Sequence, residues 1–99
     1  MDVEFELYEA LFRWNLEKAI TNISKHGISF EQAAQAFFDP EFKLVDAERN
    51  AEARDALLGI DQIGRLLFVV HIEFEESHIR IISARNATAK ERETYDGNS

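Results

Sequence analysis

The sequence predicts an α+β domain: two N-terminal helices packed on a mainly antiparallel sheet of about four strands, closed by a short C-terminal helix. Three observations predict it. Apolar residues recur at helical spacing over residues 15–37. After Pro40 the pattern changes to strand-like alternation and short apolar runs. Side chains suited to helix capping stand at Asn15, Ser29 and Thr88, just before the segments they would open. Helices followed by consecutive strands imply segregated layers rather than alternating βαβ units.

The first helix opens at Asn15, with Leu16, Ala19, Ile20 and Ile23 spaced for one face. It stops at His26, because Gly27 can take the left-handed conformation that closes a helix. Ser29 and Gln32 form a capping box for a second helix with Phe30, Ala33, Ala34 and Phe37 on one face, ended by Asp39 and Pro40. Strands are expected at about 42–46, 54–60, 65–73 and 79–85. Residues 61–64 and 74–78 are short enough to make the last three a meander. The nearly all-apolar run 66–70 suits a central strand covered on both faces. Thr88 with Glu91 forms a second capping box, opening a helix through about Tyr95, and residues 96–99 read as a tail. Residues 3–7 alternate apolar and acidic side chains and fit a strand, but 8–13 are also compatible with a helix, so the first segment stays open.

Ninety-nine residues make one domain, and 45% hydrophobic residues, including eight Phe and one Trp, supply a core without staples. There is no cysteine, which excludes disulfides, thiolate metal sites and a Cys nucleophile. No segment reads as a signal peptide or a membrane span, so a cytoplasmic, soluble protein with no membrane partner is expected. The three histidines lack metal-binding spacing, and neither metal nor other cofactor is expected. A net charge of −8 opposes nucleic-acid binding through bulk electrostatics. Yet residues 80–92 carry Arg80, Arg85, Lys90 and Arg92 against Glu91 alone, so a cationic site on an acidic body is possible.

Short motifs along the chain resemble one family. Phe12, Arg13, Trp14 and Asn15 are similar to its opening F-E-W-D; Lys18, Asn22, Lys25-His26-Gly27 and Ser29-Phe30-Glu31 follow its K…N…KHG-x-SFE pattern. Gly59, the run RLLFVV from Arg65, the run IRIISAR from Ile79, then Ala87-Thr88, Glu91-Arg92 and Tyr95 complete the match. In order from Phe12 to Tyr95, with the first eleven residues outside, they resemble the BrnT-type toxins of bacterial type II toxin–antitoxin pairs. The resemblance implies a RelE-like fold and a metal-independent endoribonuclease that arrests growth by cutting RNA. It also implies a BrnA-type ribbon-helix-helix antitoxin as partner, with DNA bound only through that antitoxin.

Cleaving RNA without metal requires a base for the ribose 2′-hydroxyl, cations for charge developing on the phosphoryl oxygens, and an acid for the leaving oxygen. Arginine suits the second role because it stays charged and forks onto phosphate. Folding the last hairpin near Glu75 and Glu76 pairs Arg85 with Leu66 and Arg80 with His71, and brings Arg65 and Arg85 to one sheet end. Arg80 alternates with Ile79 and Ile81 and points away from their face. Lys25 and His26 complement the dipole at the end of the first helix, which alone accounts for them; by the resemblance they are also candidates for phosphate contact and acid–base work. The catalytic candidates are therefore Arg65, Arg80, Arg85, Lys25 and His26. His71 reads as packed in its strand, His78 as a solvated turn residue, and Trp14 as core. Asn86 and Ala89 stand where the family is usually rich in Arg, so a second reading is a catalytically weakened relative that only binds its antitoxin in operon autoregulation.

Overall fold

The computed structural model describes residues 1–46 and 55–97. The strand start expected at Arg54, and most of the acidic stretch between Asp46 and Asp55, lie outside the described residues.

The chain is α+β, but its sheet has six strands rather than about four. Strands β1 (Asp2–Leu7) and β2 (Ala10–Asn15) form a hairpin before any helix. Helix α1 (Leu16–His26) and helix α2 (Phe30–Gln35) follow, α2 running into a 3-10 turn at Ala36–Phe38. Then come β3 (Lys43–Asp46), β4 (Asp55–Ile60), β5 (Leu66–Phe74), β6 (His78–Asn86) and helix α3 (Ala89–Asp96). The sheet order is β1-β2-β6-β5-β4-β3; the pairs are antiparallel except β2 with β6, which run parallel. The helices expected at the N-terminus thus stand behind a hairpin, and the second is barely two turns long.

The hairpin escaped the sequence reading for a physical reason. A type I′ two-residue hairpin turn needs positive φ at both central positions and usually recruits Asn or Gly. Here Tyr8 and Glu9 take φ of 50° and 71°, residue types that give no such signal. Alternation holds the hairpin in place: Val3, Phe5 and Leu7 pack against the core beneath Phe12 and Trp14, while Asp2, Glu4 and Glu6 take the other face. Phe5 and Phe30 lie against the Trp14 ring, each at 5.7 Å between centroids.

Helix α1 also departs from expectation. Asn15 caps it, and Gly27 closes it at φ 68°, as the sequence implies. Its apolar stripe faces outward, however: Ile20 and Ile23 are more than half exposed, whereas Ala19 and Asn22 are buried. Strand β2 pairs with β6 only at Phe12↔Ile79 and Arg13↔Arg80, because the chain then turns into α1. The rest of β6 lacks a strand on that side. The Asn22 amide serves instead: Nδ2 donates to the carbonyls of Ala84 (2.8 Å) and Ile28 (2.9 Å), and Oδ1 accepts from the Ala84 N–H (3.1 Å). A polar residue has displaced the apolar stripe because buried backbone groups must be paired.

Helices α1 and α2 cover the face carrying Leu57, Leu67, Val69, Ile81 and Ala84. Gly59 on the same face lets the Ala36 carbonyl approach to 2.3 Å of where a Cβ would stand. Helix α3 covers part of the opposite face. Lys43 lies across from Leu58 and its Nζ donates to the Thr94 carbonyl, while Arg85, across from Phe68, pairs with Glu91. Burial pushes the Asp39 carboxyl up, but the Tyr95 hydroxyl and the Glu41 and Ile60 amides outweigh it and hold it below the usual range. That junction fastens α3 to the end of β4.

Two outcomes follow from these contacts. Asn22→Ala orphans three buried backbone groups, at about 1–3 kcal/mol for each such loss. A thermal melt should show Tm falling by more than roughly 10 °C; a drop of a few degrees contradicts the strand-substitute role. Second, His71 is buried beneath the edge of Phe37, and desolvation lowers its pKa below 6.5 despite the Val69 carbonyl. The unfolded chain then binds the extra proton first, so this contribution is complete above about pH 6.5 and declines as pH falls toward the lowered folded value. Melts between pH 7 and 5 should show a steeper loss for the wild type than for His71→Leu.

Candidate functional site

The structure does not bring the five sequence candidates together. Arg65 stands at the entry to β5, where Nε donates to Asp61 at 2.9 Å and Nη1 donates to the Gly27 carbonyl at 3.3 Å. The Asp61 side chain is fully buried and also accepts from the Ile63 and Arg65 amides. Arg65 therefore ties the β4–β5 turn to the end of α1. Lys25 and His26 line an open groove between α1 and β6, with Lys18, Thr21 and Ser83.

Arg80 and Arg85 lie on the opposite face from α1 and α2. The register differs from the one expected: Arg85 opposes Phe68 rather than Leu66, and Arg80 opposes Ile72 rather than His71. The turn is three residues long and centred on Glu76 at φ 58°, and a bulge at Val70/His71 adds a residue on β6, so the pairing sum is 152 to 153 instead of 151. Arg85 stacks over the Phe68 ring, 4.1 Å from its centroid, and makes a two-pronged pair with Glu91 at 2.8 Å for both oxygens. The hydrogen bond from Arg85 holds the Glu91 carboxyl below its usual range. Arg65 and Arg85 share an end of the sheet, as expected, but on opposite faces and with separate carboxylate partners.

Arg80 sits about 15 Å along β6 from Arg85 at the strand rise, in a different setting. Its cross-strand partner on β2 is Arg13, a residue not among the sequence candidates. The alternation of Phe12 and Trp14 around Arg13 carried that signal, once 10–15 is known to be a strand. Two guanidinium groups side by side on an uncovered sheet face require anions, and β1 supplies them. Asp2 takes Arg80 at 2.6 and 3.3 Å, and Glu4 takes Arg13 at 2.7 Å. Arg80's hydrogen bonds hold Asp2 below the usual carboxylate range. The Arg13 Nε is buried without a hydrogen-bond partner.

His78 shares this face, two residues before Arg80. Its ring stacks on Phe74 at 4.6 Å, and Ser77 Oγ lies 2.8 Å from Nδ1. Partial desolvation, then the charges of Arg13 and Arg80, lower its pKa. An imidazole sharing a face with two guanidinium groups has the composition needed to take a proton next to a bound phosphate. His78 lies beside the β5–β6 turn, as the sequence reading had it, and its face is shared with Arg80 on β6 and Arg13 on β2. Among the described residues, no three His, Asp or Glu side chains are grouped to hold a metal ion. No helix is long and apolar enough to cross a membrane, among the described residues.

The family model described as "Ribonuclease toxin, BrnT, of type II toxin-antitoxin system" matches residues 14–91. The fold is similar to a crystal structure of the Brucella abortus ribonuclease toxin BrnT, with TM-score 0.60 and 22% identity over 76% of this chain and 92% of that one. No curated protein sequence matches the chain.

Arg65 and Arg80 are equally exposed, but their partners differ: Asp61 is fully buried and Asp2 is half exposed. Arg65→Ala leaves the buried Asp61 carboxylate without its cation and should cost about 2–3 kcal/mol, discounting for the partial exposure of Arg65. Arg80→Ala, which leaves only the half-exposed Asp2 without its cation, should leave Tm within a few degrees of wild type. Paired thermal melts check this; equal losses would refute the division.

Proposed function

We propose that this chain, which belongs to the BrnT family of ribonuclease toxins of type II toxin–antitoxin systems, cleaves RNA on the uncovered sheet face at Arg13, Arg80 and His78. The observation that carries the reading is the in-register pair Arg13↔Arg80, with His78 two residues before Arg80 on the same face of β6.

In the proposed reaction the ribose 2′-hydroxyl attacks the adjacent phosphorus in line. His78 takes the 2′-hydroxyl proton at Nε2, with Nδ1 held by Ser77. The 2′-oxygen–phosphorus bond forms as the bond to the 5′-oxygen breaks, and that oxygen takes a proton from solvent. Arg13 and Arg80 offset the charge gathering on the phosphoryl oxygens, an effect worth most where donors are already in place. The products are a 2′,3′-cyclic phosphate and a 5′-hydroxyl, and no step needs a metal. Arg85, farther along the same face, suits contact with a neighbouring phosphate. Lys25 and His26, in the groove across the sheet, and Arg65, bound to Asp61, are assigned positioning and structural work.

The family implies an antitoxin partner, and this reading takes a BrnA-type ribbon-helix-helix protein as that partner in the cytoplasm, with DNA bound only through it. A second reading, an inactive relative that only binds its antitoxin, draws support from the carboxylates already holding Arg13, Arg80 and Arg85 and from the net charge of −8.

Expression of the wild type alone should arrest bacterial growth, and Arg80→Ala should relieve it at equal protein level. Loss of one charge-stabilising donor costs roughly 10²-fold or more in rate. His78→Gln should likewise relieve arrest. Arrest that persists in both variants excludes this site, and normal growth with folded wild-type protein favours the partner-only reading.

A further inference from the structure

Strand β1 places three acids, Asp2, Glu4 and Glu6, on the same face as Arg13 and Arg80, at two-residue spacing. Alternate residues of a strand stand about 7 Å apart, so the acids form a regular anionic row along the edge of the cationic pair. Two members of that row are already on the arginines. Asp2 grips Arg80 with both oxygens, and Glu4 grips Arg13. The contacts are not what holds the strand in place: Val3, Phe5 and Leu7 on its other face pack against the core. Residues 1–13, which include β1, lie outside the region matching the family model.

From this geometry we infer that β1 is an acidic cover, in which Asp2 and Glu4 occupy the places of substrate phosphates on Arg80 and Arg13 and hold RNA binding below the level the arginines alone would give. The inference rests on the proposed RNA site. Both carboxylates are more than half exposed, and exposed ion pairs are individually weak and salt-screened. A chain of phosphates, meeting several cations at once, can displace them without unfolding the hairpin. The cover therefore attenuates and does not abolish binding, and it acts most strongly at low ionic strength.

The test is binding of a fluorescently labelled short 2′-O-methyl RNA, which cannot be cut by in-line attack, measured by anisotropy across a salt series. Asp2→Asn/Glu4→Gln should bind about three- to tenfold tighter than wild type at low salt. The slope of log affinity against log salt should steepen by about one to two as the two cations become free for phosphate. Both changes should vanish when Arg13→Ala and Arg80→Ala are added. Glu31→Gln/Glu93→Gln, an equal change in net charge elsewhere, should give neither. Trp14 fluorescence, sensitive to Phe5 at the hairpin, verifies that β1 stays docked. Unchanged affinity overturns the cover, as does a gain that survives removal of the arginines or is matched by the control. Arg80-dependent RNA cleavage by the wild type alongside unchanged affinity would leave the ribonuclease reading standing and the cover refuted. Tighter arginine-dependent binding without cleavage in any variant would do the reverse.

Discussion

The side-chain amide of Asn22 is the contact on which the rest of the arrangement depends. Strand β2 leaves β6 after two paired residues because the chain turns into α1, and the exposed backbone of β6 has to be satisfied where it is buried. Asn22 carries a donor and an acceptor in the geometry of a peptide group, and it bonds both the N–H and the carbonyl of Ala84. Its second amide hydrogen reaches the Ile28 carbonyl just past the helix, so the α1–α2 corner is set by the same side chain. With α1 fixed in that orientation, Trp14 and Phe30 close the core, and Leu16, Ile20 and Ile23 are left outside.

That constraint also divides the molecule chemically. One face of the sheet is used for packing under α1 and α2, and the cations near it, Arg65 above all, are spent on turns and carbonyls. Among the described residues, the other face is covered by α3 over its β4 side alone. Its remaining area, across β1, β2 and the start of β6, presents Arg13, Arg80 and His78 against the acids of β1. Exposed charges act over about 8–10 Å at ordinary ionic strength, so a phosphate approaching Arg13 and Arg80 competes first with Asp2 and Glu4. Local sign matters more to a bound phosphate than the total of −8.

Much of this was legible in the sequence. The capping pairs Ser29 with Gln32 and Thr88 with Glu91 form as read, and Gly27 closes its helix in the left-handed region. The hairpin of β5 and β6 was visible too, because apolar runs and a short polar connection report local structure. What was not legible is non-local or atypical. The turn at Tyr8 and Glu9 uses residues that carry no turn signal. The bulge on β6 shifts register by an amount no periodicity shows. Asn22 looks like a solvent-facing residue of an amphipathic helix until its partner Ala84, sixty-two residues away in sequence, is known. The same limits governed the site. Arg80 was singled out from its alternation on the strand that also carries His78, but Arg13 joins that face only through the parallel pairing of β2 with β6.

The most direct measurement is the chemistry of the RNA ends left by the purified protein in the presence of a metal chelator. The proposed mechanism predicts 2′,3′-cyclic phosphate and 5′-hydroxyl ends, formed by the wild type and lost in Arg80→Ala. Cleavage that leaves 5′-phosphate ends, that stops on chelation, or that continues undiminished without Arg80 would contradict it.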